Sequence, residues 1–524
     1  MSVPHYSRSR RPARFQAFNI VSTSVFWFLL ASFSSSPSKA AQPAARTQPP
    51  NILFILTDDQ SCSSLGCYGG KLAPTPNLDR LADQGIRFTD AYVMPQCTPT
   101  RAALLSGQHT ARNGMWHVIP WYGSPYAAVA ERAFREEFLP TQSRLPHRLR
   151  ESGYTTGMAG KWHLTTNPKQ GYYTYLKEDA AIDFGFDEVA PPGPGSQNEG
   201  DKWVEHLTRY AADFIKRNAG KPWFFYLSHH TLHGKVSAPS GLIEKYRERG
   251  APETGLGNAT YLAAIEHLDH SVGNLLGALE ETGQKNNTLI VFLSDNGGVD
   301  TQYNHLQPNG DPITGAEPLQ LRKQEIDSAP LREGKGSMYE GGIRVPCIVH
   351  WPEGVNRTGD CDTPIHVVDW LPTLLAAARA PADTDSEDGV SLLPLFSGKS
   401  LAPRSLYWYL PLYDLRWAST PCAIIRSGDW KLIEFFGDHF DRDQRYQVGN
   451  HTELYNLAND LGESKNLATQ ERDRVLSMQR ELREWIRSCQ AEIPNKNPQH
   501  DIQRPFFETK QKPAHVQTYQ SKEP

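Results

Sequence analysis

Asn51-Ile52-Leu53-Phe54-Ile55-Leu56 is an unbroken apolar run of strand length, and it ends in Thr57-Asp58-Asp59. A half-exposed strand alternates polar and apolar residues, whereas a continuous run fits a parallel strand covered on both faces. Open α/β sheets gather ligands at the carboxyl ends of such strands. Two adjacent carboxylates at that position are costly unless they are paired or hold a cation. A helix N-cap is the plainer use of an aspartate, but it accounts for one carboxylate and not for two. The same order recurs at residues 288–293, an apolar run that ends in Ser294-Asp295-Asn296-Gly297-Gly298. Side by side, the two strands bring Asp58, Asp59, Asp295 and Asn296 to one rim. Four oxygen donors of mixed carboxylate and amide type suit a hard cation, calcium rather than zinc, with magnesium the near rival. The glycines after Asn296 leave room for backbone to approach ion or substrate.

Two further strand-length runs carry polar residues at their carboxyl ends. Residues 154–159 lead into Gly160-Lys161-Trp162-His163-Leu164, and residues 222–227 into Ser228-His229-His230-Thr231-Leu232-His233. On an extended segment Lys161 and His163 point to one side, where both reach an anion. The three histidines admit a zinc reading; one working histidine with two structural ones is simpler, with His233 first and His229 second. Residues 332–342 form a Gly-rich loop without the P-loop pattern. Lys335, between two glycines, is open to an anion there, and an ordinary surface loop is the alternative.

Cys97-Thr98-Pro99-Thr100-Arg101 supplies a nucleophile candidate. Residues 102–106 read as the start of a helix and Gly107 as its end. Proline suits a first turn, where its missing N–H is no loss. The thiol then sits just before a helix N-terminus, which attracts anions. Arg101 adds a planar fork suited to a tetrahedral oxyanion. The plain alternative is a buried cysteine ahead of a helix.

With 524 residues, 21% of them charged, and a net charge of −4, the chain has room for more than one domain and no basic footprint for nucleic acid. Residues 1–41 read as a signal peptide. Arg8, Arg10, Arg11 and Arg14 precede an apolar stretch centred on Phe26-Trp27-Phe28-Leu29-Leu30, and Ser38-Lys39-Ala40 offers small residues for cleavage. A retained anchor is the alternative, but the run is short for a spanning helix. The expected product is exported, periplasmic or secreted, with no stable membrane insertion after cleavage. The seven cysteines include no CxxC pair and no zinc spacing. The six besides Cys97 have the option of pairing in an oxidising compartment.

The predicted fold class is α/β: a large, mixed but mostly parallel sheet flanked by helices, with a smaller C-terminal α+β domain containing an antiparallel sheet. Residues 50–380 form the catalytic domain, 381–388 an acidic linker, 389–494 the C-terminal subdomain and 495–524 a loosely held polar tail. Short strands at 406–409, 422–425 and 430–433 and an amphipathic helix at 470–490 support the second unit. A helix at 261–280 carries His267, Asp269 and His270 on a solvated or interhelical face.

The Cys97 pentapeptide, followed by Leu105-Ser106-Gly107, resembles the signature of the type I, formylglycine-dependent sulfatases, arylsulfatase-like enzymes of the alkaline phosphatase superfamily. Gln108 stands where the longer signature usually has arginine. Residues 51–59, 160–164, 294–298, 334–342, 368–374 and 453–457 are similar to family stretches and follow the family's order. The resemblance implies an alkaline-phosphatase-like sheet and a four-stranded antiparallel sheet in the C-terminal domain. It implies that Asp58, Asp59, Asp295 and Asn296 bind Ca2+ (Mg2+ less readily) together with a formylglycine made from Cys97 by a formylglycine-generating enzyme. Arg101 would hold the hydrate of that aldehyde and His163 would assist it. Lys161 and Lys335 would bind sulfate, and His233, with His229 behind it, would orient sulfate or protonate the leaving alcohol. One hydroxyl of the hydrate would attack sulfur, and the other would expel sulfate as the aldehyde re-forms. The implied substrate is a sulfated small molecule or glycan, with specificity set by residues 115–140, 171–202 and 301–329. Competing readings are a phosphodiesterase or phosphonate monoester hydrolase of the same superfamily, a non-catalytic exported glycan-binding protein, and a zinc hydrolase on His229, His230 and His233.

Overall fold

The computed structural model describes residues 48–120, 123–172, 175–196, 198–304, 317–381 and 387–503. The signal peptide expected at 1–41, most of the 381–388 linker and the tail beyond 503 lie outside them.

Eight strands form the principal sheet. In chain order they are β1 (Asn51–Thr57), β2 (Ile86–Phe88), β3 (Thr155–Gly160), β4 (Glu188–Val189), β5 (Trp223–Ser228), β6 (Thr288–Ser294), β7 (Cys347–His350) and β8 (Gly359–Cys361). Their spatial order is β8-β2-β7-β6-β1-β5-β3-β4. The strand β1 lies between β5 and β6 and runs parallel to both. Strand β3 is parallel to β5 and to β4, and β8 is parallel to β2. Only β7 runs against its neighbours, β6 and β2. The sheet is therefore mixed and mostly parallel, and every residue of β1, β5 and β6 is buried. Such burial is what their unbroken apolar sequences require.

Side chains leave the central strands alternately toward two layers. Leu53, Ile55, Phe225, Leu227, Ile290 and Phe292 pack with one face of the helices at Val204–Arg217 and Ala259–Glu281. Ile52, Phe54 and Leu56 face the opposite layer, which contains α1 (Cys97–Ser106). The four-stranded antiparallel sheet joins this second core. Its strands β9 (Ser405–Leu410), β10 (Cys422–Ser427), β11 (Trp430–Phe435) and β12 (His451–Asn456) lie in sequence order. Trp408, Ile424, Ile433 and Leu454 pack into it, as do Met478 and Leu482 of the helix Arg472–Ser488.

Some expectations shift. Helix α1 starts at Cys97 itself, with extended Gln96 before it, so the thiol belongs to the first turn. Pro99 is still in that turn, where its ring breaks no hydrogen bond. Gly107, at φ 67°, closes the helix as expected. The helix at 259–281 begins earlier than 261 because the Asn258 side chain accepts from the Tyr261 N–H. Its Asp269 is interhelical, accepting from the N–H groups of Asn77 and Leu78 at the start of the helix Pro76–Asp83. The tail is not loose at its start: Asn497 N donates to Ala128 O (2.9 Å) and Asp501 N to Tyr126 O (3.0 Å). All seven cysteines are free thiols. No helix among the described residues is long and apolar enough to cross a membrane.

Candidate active site

Strand register brings the polar residues together. Thr57 lies opposite Ser294, and Ser228 lies opposite both Leu56 and Gly160. Asp58, Lys161, His229 and Asp295 therefore leave the sheet at one rim. Backbone bonds continue the sheet one step further, from Asp295 N to Thr57 O (3.0 Å) and from Lys161 N to Ser228 O (2.7 Å).

Carboxylate oxygens of Asp58, Asp59 and Asp295 and the sulfur of Cys97 lie within 4.8 Å of one another, all four residues buried. Asp59 sits at φ 57°, an uncommon conformation that aspartate tolerates better than most residues. It turns the backbone so that Asp59 N–H approaches Asp295 Oδ1 at 3.3 Å. Asn296 donates its amide to Asp59 Oδ1 (2.7 Å), while its own carbonyl Oδ1 is buried without a partner. A buried acceptor left open beside three carboxylates is a donor set of the kind a hard cation takes.

Three cations face the three acids. Arg101, wholly buried, donates through Nε (3.1 Å) and Nη2 (2.6 Å) to Asp295 Oδ2, and through Nη1 to Lys161 O (3.0 Å) and to the Ser228 hydroxyl. Lys161 Nζ donates to Asp58 Oδ2, and Lys335 Nζ to Asp59 Oδ2 at 2.8 Å. Burial works to raise Asp58, but Lys161, His233, Arg101 and Lys335 overcome it and hold the carboxyl well below its ordinary range. Burial, with Asp58 beside it, pushes Asp295 up to about 6 against the pull of Arg101. Burial and the neighbouring Asp295 and Asp58 push the Cys97 thiol up to about 12. The thiol lies 3.5 Å from Asp58 Oδ1.

The glycines after Asn296 make room for close backbone approach. They let two loops approach each other. A Cβ on Gly297 would lie 1.8 Å from Gly341 O, and one on Gly334 would lie 2.3 Å from Gly298 O. This contact carries Lys335 to the rim, with Lys335 N bonded to Gly298 O (2.9 Å) and Gly297 N to Gly342 O (3.0 Å). Gly297→Ala is expected to lower stability by about 1–3 kcal/mol, the usual cost of overpacking. Denaturant unfolding reads that loss, and a wild-type midpoint would contradict it.

The histidines separate. His163 lies at φ 55°, so the segment after β3 is bent and not extended; the shared-side argument for Lys161 and His163 fails. The His163 ring meets Ile119 O at 3.1 Å, while its backbone oxygen accepts from Thr98 Oγ1 (2.8 Å), which ties this segment to α1. His233, partly buried, groups with Asp58 and Cys97 within the same 4.8 Å. His229 points away: its Nε2 meets Ser271 Oγ at 3.2 Å on the helix Ala259–Glu281. His229, His230 and His233 do not converge on one metal position among the described residues.

Two neighbours had no part in the site that the resemblance implies: His230, read from sequence only as structural or as a zinc ligand, and Lys202. His230 is buried, and after burial itself Lys161 is the largest influence holding its ring well below the ordinary range. Lys202, 1% exposed, donates from Nζ to Lys235 O at 3.0 Å; burial, partly offset by Asp58, lowers it to about 8. Lys202 precedes a helix in a stretch with no pattern of its own, so only folding reveals it.

The sulfatase family model matches residues 50–380, and that of the N-sulphoglucosamine sulphohydrolase C-terminal region matches residues 334–492. Arylsulfatase A of Homo sapiens is 31% identical over an alignment covering 81% of this chain and 84% of its own length. A sulfatase of Formosa agariphila is 29% identical, with 84% of this chain and 89% of its own length covered. The crystal structure of Ps i-CgsB in complex with k-i-k-neocarrahexaose superposes with a TM-score of 0.62 at 25% identity, covering 84% of this chain and 93% of that one.

Proposed function

This chain belongs to the sulfatase family, hydrolases of sulfuric esters, and from that premise we propose that it removes sulfate from a sulfated carbohydrate at the cluster around Cys97. The observation that carries the reading is the meeting of Asp58, Asp59, Asp295 and Cys97 within 4.8 Å, with Lys161 and Lys335 bonded to two of the acids. Calcium is the proposed ion, held by Asp58, Asp59, Asp295 and Asn296. The three carboxylates and the open Asn296 oxygen fit it. When bound, such an ion polarises ester oxygens as a Lewis acid. Residue 97 is proposed to act as formylglycine, made by a formylglycine-generating enzyme, which supplies an oxygen nucleophile in place of sulfur.

The chain's own groups have distinct tasks in this reading. Lys161 and Lys335 present ammonium groups to the sulfate oxygens, and each is already fixed by an aspartate. Charge placed in advance where the transition state needs it is usually the largest catalytic term. His233, whose Nδ1 meets Gly234 O at 2.7 Å, has its other ring nitrogen for the departing alcohol oxygen. Arg101 fixes Asp295 and the Lys161 backbone, keeping acid and base registers together. His229, bonded to Ser271, supports the loop from behind. The glycan assignment draws support from Ps i-CgsB, solved with a neocarrahexaose. Residues 1–41 are read as an export signal, giving a periplasmic or secreted enzyme, with 50–380 catalytic, 389–494 the C-terminal subdomain and 495–524 a polar tail.

The test is sulfate release from defined sulfated oligosaccharides before and after chelation. Activity is expected to fall by at least about 100-fold on chelation, a loss of several kcal/mol of charge stabilisation, and to return with calcium. Faster turnover of the phosphate ester of the same alcohol, or full activity in protein that elemental analysis shows to be metal-free, would overturn the reading.

A further inference from the structure

The residue before the nucleophile position is an odd helix cap. Gln96 is extended, at φ −143° and ψ 164°, and its side chain makes no capping bond to α1. It turns instead to the C-terminal subdomain, where Gln96 Nε2 donates to Asp414 Oδ2 at 2.6 Å across 318 residues of sequence. Gln96 Oε1 accepts from Val118 N at 3.2 Å, so both ends of the amide are used. Asp414 is wholly buried. Its charge is met by Arg416, which donates from Nε to Oδ1 (2.8 Å) and from Nη2 to Oδ2 (2.7 Å), and His117 Nε2 lies 3.4 Å from Oδ2.

The same turn grips the lysine loop. Asp414 and Ser419 exchange backbone bonds of 3.0 Å in both directions, closing residues 414–419. The Ser419 hydroxyl donates to Gly336 O at 2.6 Å, and Gly336 N donates to Pro95 O at 2.7 Å. Gly336 accommodates Trp417 only because it lacks a Cβ, which would lie 2.1 Å from the indole Cδ1. Lys335 Nζ lies 6.0 Å from the centre of that ring. One buried residue thus holds Gln96, ahead of Cys97, and Arg416 through its carboxylate, and through its backbone closes the turn whose Ser419 holds the segment that carries Lys335.

We propose that Asp414 is a positioning residue for the sulfatase reaction: by holding Gln96 and the turn 414–419 it sets the placement of residue 97 against Lys335. The inference rests on the assignment of both residues to the catalytic cluster. Asp414 touches neither sulfate nor the reacting atoms and acts only through its partners. Misplacement of reacting groups by about 1 Å costs on the order of 100-fold in rate. A hydrogen bond from an amide to a carboxylate is among the stronger tethers available.

The test compares full-length wild type, Asp414→Asn, Gln96→Ala and the double variant on one aryl sulfate, with the folded fraction of each measured by near-UV circular dichroism. Gln96→Ala leaves the Asp414–Arg416 pair intact and so guards against misfolding. Each single change is expected to lower kcat of the folded protein by about 10- to 100-fold and to move KM by less than about threefold. The double variant is expected to fall well short of the product of the singles, because the Gln96–Asp414 bond that both weaken can be lost only once. Wild-type kcat in Gln96→Ala, a double variant as low as the product of the singles, or a loss in Asp414→Asn matched by its unfolded fraction would each overturn the proposal. A wild-type protein without activity on sulfate esters would instead remove the functional reading on which it rests.

Discussion

Cys97→Ala should fold with its cluster of acids and cations intact yet lose turnover by at least about 10⁴-fold, equivalent to about 5.4 kcal/mol at the transition state. The side chain is 1% exposed, and its one polar contact, 3.5 Å to Asp58, is long. Arg101 and Lys161 make their bonds to Asp295 and Asp58 without it. Alanine at position 97 therefore leaves the charged frame standing and takes away the nucleophile, together with the one ligand that residue 97 offers the proposed ion. Cys97→Ser should behave differently. A serine hydroxyl at that position offers one oxygen to attack sulfur and no second oxygen to expel the sulfate afterwards. The serine variant is expected to accumulate as a sulfated protein, seen as a mass increase of the intact chain and located in the peptide that contains residue 97. The wild-type peptide should in turn be lighter than the encoded cysteine requires. Normal turnover of a sulfate ester by either variant would remove Cys97 from the mechanism.

The central sheet was legible because burial on both faces writes an unbroken apolar run, and β1, β5 and β6 each carry one, whereas β3 reads Thr155-Thr156-Gly157-Met158-Ala159-Gly160 and shows only as a short strand. Strands β2, β4 and β8 span three residues or fewer, too short for any periodicity to register. The acids were legible because paired carboxylates after a buried strand have few other uses, and Asp58, Asp59, Asp295 and Asn296 do meet at the rim. Backbone conformation was the hidden variable. The bend at His163 and the choice among His229, His230 and His233 depend on loop dihedrals that residue type does not announce. The glycines after Asn296 signalled close approach, but not that another loop, the one that carries Gly341, is packed against Gly297. The bond from Gln96 to Asp414 joins segments 318 residues apart, and nothing in either local sequence names the other.

Arg101→Ala should have the largest effect on stability of any single change in the site. The guanidinium is wholly buried and makes two bonds to Asp295, one to Lys161 O and one to the Ser228 hydroxyl. Truncation leaves a buried carboxylate without its nearest counter-charge and takes one of two donors from the Lys161 carbonyl, the Ser228 hydroxyl (2.7 Å) remaining. Breaking a buried pair from one side typically costs about 3–5 kcal/mol. The activity of what remains folded should fall by about 100- to 1,000-fold, the usual cost of losing one electrostatic support. Arg101→Lys separates charge from geometry: an ammonium restores the positive charge but not the planar fork that spans Asp295 and Lys161 O. It should recover part of the stability and little of the rate. Calcium provides the decisive comparison. A ligand at 100 times its Kd stabilises the folded state by about 2.7 kcal/mol. Without Arg101 the cage of Asp58, Asp59 and Asp295 carries one more uncompensated negative charge, so calcium should raise the denaturation midpoint further in the alanine variant than in wild type. Equal calcium increments in the two proteins would mean that Arg101 and the ion do not share these carboxylates. A wild-type midpoint for metal-free Arg101→Ala would mean that the buried pair contributes nothing to the fold.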